Sequence, residues 1–215
     1  MVLMIIVNLK SYHTASGNRA QTIARAAKNA PIPVILAPHH YDLARCAKIC
    51  TCYTQHTDPT PAERHTGYLP PQLAAHAGAT GSLLNHSEHR ISRADIEATK
   101  RLLDKANMHT IICARTPREA DHYATLKPYA IALEPPELIA GDISISSARP
   151  EIIAKTVHTV RAKSRKVKIL VGAGIKDRHD VQRSLELGAH GVLVASGIAL
   201  ATNPRRALTE LIRGF

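Results

Sequence analysis

Three short stretches place groups that can move protons or hold charge directly after apolar runs: VNLK (7–10), NHSEHR (85–90) and ALEPPELI (132–139). In the last, Glu134 ends the buried-looking run YAIALE and is followed by Pro135 and Pro136. A carboxylate at an apolar rim has its charged form disfavoured and suits a general base. The plainer alternative is a glutamate that begins a helix. His86 falls in the first turn after TGSLLN, where backbone N–H groups disfavour an imidazolium, so a neutral ring could polarise a carbonyl. Its alternative is a histidine satisfied within a turn. Lys10 brings an ammonium and Asn8 an amide to the end of the first apolar run. VGAGI and VASGI offer small-residue turns whose backbone N–H groups can nest a phosphate. A base, a polarising imidazole, an ammonium and a phosphate grip together suit proton abstraction beside the carbonyl of a phosphorylated substrate.

These groups need elements that bring them to one place. Short apolar runs recur at 3–7, 34–37, 50–55, 80–85, 110–114, 129–134, 168–172 and 191–195, each followed by a segment with helical patterning. Several runs are apolar at consecutive positions, the pattern of parallel strands covered on both faces. Helices are predicted over 17–29 and 40–48, and after Ser92, Pro150, Asp177 and Asn203, with stops at Gly188 and Gly214. Eight strand–helix units predict an α/β protein, a closed (β/α)8 barrel forming a single domain over residues 1–215. The alternative is an open, doubly wound sheet, which lacks the expected G-x-G-x-x-G after the first strand. In a barrel, chemistry belongs where strands end. Asn8, Lys10, Gln55, His56, His86, Glu88, Glu134, Gly172 to Gly174 and Ala195 to Gly197 all fall there.

Composition limits the rest. At 45% apolar with no Trp and one Phe, the core must be aliphatic. The net charge of +11 favours anionic partners, either phosphorylated metabolites or nucleic acid. Sequence-tolerant nucleic-acid binding interleaves aromatic platforms with basic residues, and those are nearly missing here. The N-terminal stretch does not order its charges as a signal peptide does, and no apolar run approaches the ~20 residues that span a membrane. A cytoplasmic protein that binds neither nucleic acid nor membrane is the expectation. Cys46, Cys50 and Cys52 in CAKICTC raise a metal question, but no matched second pair exists. Nor do His86, Glu88 and His89 form H-E-x-x-H. Inert thiols and no metal are expected.

Taken together, the motifs resemble the triosephosphate isomerases, in the short archaeal form. VNLK is similar to the family's first-strand Asn-x-Lys motif, NHSEHR to its histidine motif and ALEPPELI to its glutamate-and-lid motif, while LVGAGI and VLVASG are similar to its phosphate loops. The resemblance runs along essentially the whole chain. It implies a TIM barrel that interconverts dihydroxyacetone phosphate and glyceraldehyde 3-phosphate with no cofactor. By motif, Glu134 would be the base and His86 the electrophile. Lys10 would stabilise the enediolate, Asn8 would position substrate and Glu88 would support Lys10. Ile139, Gly174, Ala195 and Ser196 match substrate-contact positions, and His89 falls outside the chemistry. Residues 54–70 resemble the third loop, which in relatives packs into a neighbour, implying a homodimer or homotetramer. One departure stands out: where many relatives have a Gly-Thr-Gly type lid tip, this chain has Ala140-Gly141-Asp142. Rival readings are a phosphate-binding barrel acting on another sugar phosphate, and a basic scaffold that binds polyanions without turnover.

Overall fold

A computed structural model describes residues 3–136 and 144–215. Strand and helix alternate along the chain. β1 (Met4–Asn8) leads to α1 (Asn18–Lys28), β2 (Val34–Ala37) to α2 (Leu43–Ala47), β3 (Cys52–Thr54) to α3 (Pro71–His76) and β4 (Ala79–Leu84) to α4 (Arg93–Lys105). β5 (His109–Ala114) leads to α5 (Pro117–Ala124), and β6 (Ala130–Leu133) precedes α6 (Ile145–Ala148) and α7 (Pro150–Lys163). β7 (Lys168–Val171) leads to α8 (Arg178–Glu186), and β8 (Gly191–Val194) to α9 (Ser196–Ala199) and α10 (Pro204–Ile212). The strands pair in chain order into a closed barrel. Closure is made by β1 lying parallel to both β2, with Ile5 opposite Val34, and β8, with Met4 opposite Gly191.

The consecutive apolar residues of each strand divide between two cores. Met4, Ile6, Ile35, Tyr53, Leu83, Ile111, Leu170 and Leu193 fill the barrel interior. Their strand neighbours Ile5, Val7, Leu36, Leu84, Ile112, Ile169 and Val192 face outward against the helices. Burying each such side chain contributes about 1.5–3 kcal/mol, so strands with no polar face are held firmly in register. Tyr53 reaches across the interior to hydrogen-bond His109 Nδ1 at 2.6 Å. Gly81 makes room for it, since a Cβ there would stand 2.6 Å from the tyrosine ring.

Helix starts follow the expected grammar. Ser92, Thr116, Asp177 and Asn203 each accept a backbone N–H of the first turn, and Pro71, Pro117, Pro150 and Pro204 take first helical positions. Each such cap is worth roughly 1 kcal/mol. The expected helix over 40–48 is instead a 3-10 turn, His40–Asp42, running into the short α2. There Asp42 turns its carboxylate to the backbone N–H of Gly17 at 2.9 Å, tying the segment to the preceding unit. β3 is shorter than the apolar run suggested: Thr51 is exposed and Gln55 leaves the ladder. Among the described residues, no helix is long and apolar enough to cross a membrane.

Candidate active site

The candidate groups among the described residues sit at or just past the C-terminal ends of strands. Asn8 closes β1, buried, and its Oδ1 accepts the backbone N–H of Lys10 at 2.9 Å. That bond helps hold Lys10 in the left-handed region at φ 49°, a conformation disfavoured for a residue with a Cβ. Gln55 Nε2 adds a second clamp by donating to the carbonyls of Lys10 and Ala37 at 2.9 and 3.1 Å. The Lys10 ammonium meets Glu88 Oε1 at 2.6 Å.

After β4 the chain turns sharply at Asn85, φ 63°. Asn85 is fully engaged. Its Nδ2 donates to the Cys113 carbonyl and to the Tyr123 hydroxyl, both at 3.1 Å, and its Oδ1 accepts from Ile91 N at 3.2 Å. This pins the turn that carries His86, whose Nδ1 accepts the backbone N–H of Glu88 at 3.2 Å. With Nδ1 an acceptor, the ring proton belongs on Nε2, which faces Glu134 Oε1 at 3.5 Å. Burial, rather than the backbone N–H groups expected from sequence, disfavours the imidazolium. The hydrogen bond and negative charge of Glu134, with Glu88 behind, outweigh it and hold the His86 pKa above its ordinary value. The sequence reading expects a neutral ring; the Nδ1 atom accepts the Glu88 N–H, and the nearby carboxylates favour the charged ring.

Glu134 itself is buried, and among the described residues its Oε2 has no hydrogen-bond partner. The sheet ladder continues past β6 and β7: Glu134 N donates to Ala114 O at 2.8 Å and Gly172 N to Leu133 O at 2.9 Å. Gly172 thus lies beside the Glu134 side chain with no atoms of its own to intrude. Next come Ala173 and Gly174 with φ of 70° and 72°, two successive left-handed residues that fold the backbone tightly at the mouth. Ala195 and Ser196 begin α9 across from them.

One cavity of about 540 Å³ gathers Asn8, Lys10, His86, Glu134, Gly174, Ala195 and Ser196. An adjoining cavity of about 520 Å³ shares Asn8, Lys10 and His86, adds Glu88 and extends under Tyr68, Leu69 and Leu73. Exposed His89 stacks on His56 with ring centroids 4.2 Å apart and lines the 520 Å³ cavity, not the one that holds Glu134. Ile139 and the tip Ala140-Gly141-Asp142 lie outside the described residues. Among those described, no cluster of His, Cys, Asp and Glu is arranged to hold a metal ion. Gln55 and Asn85 are supporting residues to which the motifs assign no role, and Gly172, part of the small-residue turn VGAGI, has the further role of leaving room for Glu134. The signals were an Asn and a Gly in tight turns and an amide at a strand end.

A closed eight-stranded parallel barrel with titratable side chains and tight small-residue turns gathered on one rim defines the class of (β/α)8 barrel proteins whose site lies at the strand ends. Comparison with known proteins narrows the class: the chain matches the triosephosphate isomerase family over residues 3–214 and belongs to it. It is 38% identical to triosephosphate isomerase from Methanothermus fervidus over 215 residues, 97% of each chain. Identity to the protein of that name from Methanocaldococcus jannaschii is also 38%, over 217 residues, 98% of this chain and 99% of the other. A crystal structure of triosephosphate isomerase from Bartonella henselae superposes with a TM-score of 0.76 at 18% identity, covering 99% of this chain and 100% of that one, a likeness of fold.

Proposed function

We propose that the chain interconverts dihydroxyacetone phosphate and D-glyceraldehyde 3-phosphate as a single barrel domain without a cofactor, in glycolysis and gluconeogenesis. The observation that carries this reading is the facing pair, Glu134 Oε1 at 3.5 Å from His86 Nε2, in a cavity that also holds Lys10 and the turn at Gly174. A substrate carbonyl entering between the pair has a carboxylate on one side and an N–H donor on the other. Glu134 takes the proton from the carbon next to the carbonyl, and His86 Nε2–H donates to the carbonyl oxygen as negative charge develops there. The Lys10 ammonium lowers the energy of the enediolate. Glu134 returns the proton to the neighbouring carbon, while His86 moves the hydroxyl proton between the two oxygens. This division of labour is the one the family resemblance implies.

Backbone N–H groups at Gly174, Ala195 and Ser196, with Ile139 from the loop after Glu134, are read as the grip on the phosphate, and Asn8 as a positioning group. Glu88 holds Lys10 in place and does no chemistry of its own. Residues 54–70 are read as a subunit contact within a homodimer or homotetramer. The exposed Tyr68, Leu69 and Leu73 beside the site support that reading.

The test is a dehydrogenase-coupled assay of glyceraldehyde 3-phosphate conversion, with Glu134→Ala beside the parent. Loss of a positioned base is expected to lower kcat by about 10²–10⁴-fold or more. Equal turnover in both proteins would remove Glu134 from the mechanism. No turnover in the folded parent would redirect the search to other sugar phosphates.

A further inference from the structure

Three of the four cysteines cluster at the opposite end of the barrel, and the proposed reaction uses none of them. Cys50 ends the turn after α2, with its N–H bonded to Cys46 O at 3.0 Å, and Cys52 opens β3. Their Sγ atoms are 3.9 Å apart and share a hydrogen bond. Cys50 is partly exposed, in a surface depression that also contains Lys28, Lys48 and Thr51, while Cys52 is fully buried. The pair is therefore asymmetric, with one thiol that solvent can reach and one directly behind it.

We infer that Cys50 and Cys52 are an oxidation site, at which a hydroperoxide converts the accessible thiol and the buried thiol closes an intrachain disulfide. The Cys50 thiolate attacks the terminal oxygen of the hydroperoxide, the O–O bond breaks, and the departing alkoxide or hydroxide takes up a proton. Cys50 is now a sulfenic acid. The Cys52 sulfur then attacks Cys50 Sγ, the S–O bond breaks, and hydroxide leaves as water with the Cys52 proton. Two thiols are oxidised by two electrons and one peroxide is reduced.

Electrostatics assign the order. The hydrogen bond from Cys52 holds the Cys50 thiol below its usual range against the opposing effect of burial. The same bond, with burial, pushes Cys52 upward. Lys28 and Lys48 line the same depression as Cys50. The other two thiols are poor nucleophiles: burial pushes Cys46 up to about 12, and burial with the Glu134 charge raises Cys113 well above its ordinary value.

Closing the bond requires the sulfurs to move from 3.9 Å to about 2 Å. Cys50 precedes the ladder and is free of strand pairing, and the β3–β4 register already shifts between Cys52 and Tyr53. Thr51 O, between Cys50 and Cys52, accepts from Leu36 N at 3.0 Å, so the movement falls mainly on the Cys50 side chain and its turn.

The test exploits the cleavage sites. Trypsin releases Cys50 and Cys52 together in the peptide 49–64 and Cys46 in a separate one. Native protein is treated with hydrogen peroxide, alkylated in denaturant, digested and analysed by mass spectrometry. The expected product is peptide 49–64 lacking two hydrogen atoms and unalkylated, restored by a dithiol reductant, with Cys46 and Cys113 alkylated. Cys52→Ser should stop at the sulfenic acid, trapped on Cys50 by dimedone. Recovery of the parent peptide alkylated at both cysteines, or a cross-link from Cys46, would overturn the inference. The parent measurement does not depend on any variant folding.

Discussion

A Cβ at position 172 would lie 2.6 Å from Glu134 Cγ and 3.0 Å from its Oε1. Gly172 therefore sets where the carboxylate stands, through the absence of a side chain. Backbone cannot yield cheaply here, because Gly172 N is bonded to Leu133 O at 2.9 Å, so any added methyl must displace the glutamate.

Gly172→Ala is accordingly expected to lower kcat by about 10–100-fold, the scale of a misplacement near 1 Å, while KM changes less than threefold or so. Steady-state kinetics alongside a thermal melt separate this from unfolding. A kcat equal to the parent's would show that the carboxylate has room elsewhere.

His86 should titrate above its ordinary value of 6.5 in the free protein, because Glu134 and Glu88 favour the charged ring more than burial opposes it. The folded pKa being the higher one, the stability this group adds is full below the unfolded value near 6.5 and fades as pH rises through the folded pKa. In Glu134→Gln the chief opposing charge is gone, burial dominates and the midpoint should fall. Histidine resonances followed by NMR against pH report both numbers, and a midpoint that does not move between the two proteins would contradict the assignment.

Asn85→Ala removes the partner of the Cys113 carbonyl, the Tyr123 hydroxyl and the Ile91 amide, and places a Cβ residue without a side-chain amide at φ 63°. The expected loss is about 1–3 kcal/mol in denaturant unfolding, with kcat/KM falling in the surviving folded protein as His86 loses its seat. Asn85→Asp keeps one acceptor and should recover part of the stability.

Leu73, 53% exposed, and Tyr68, 53% exposed, present apolar surface beside the cavity that extends under the third loop. If that loop docks on a neighbouring subunit, Leu73→Asp should shift light-scattering mass toward the monomer, with activity falling in parallel. An unchanged mass would place the subunit contact on another face.

Much of this was legible before any coordinates. Parallel strands buried on both sides have no polar face to obscure them, so β2 and β8 stand out as VILA and GVLV, and caps such as Ser92 and Asp177 announce their helices. β3 was blurred because Thr51 and Gln55 flank only three ladder residues. Glu134 and His86 were visible as polar groups ending apolar runs. Gln55 and Asn85 carry no role in the motifs, since partners such as Lys10 and Tyr123 lie 45 and 38 positions away and no local spacing encodes such bonds. Gly172 read as part of a phosphate turn, because a missing side chain does not say which neighbour needs the space.

The pairing of Met4 with Gly191 has a consequence for how the protein comes into being. During synthesis β1 emerges with one neighbour available early, and its other edge must wait for the last of the eight strands to leave the ribosome. Until then the nascent chain carries a row of unpaired amides and carbonyls beside Asn8 and Lys10, open to wrong partners. Arrival of β8 seals that edge and delivers Ala195 and Ser196 in the same event. A chain stopped short of β8 lacks part of the cavity and keeps a sticky margin, so completion of the ring and acquisition of a working site are one step.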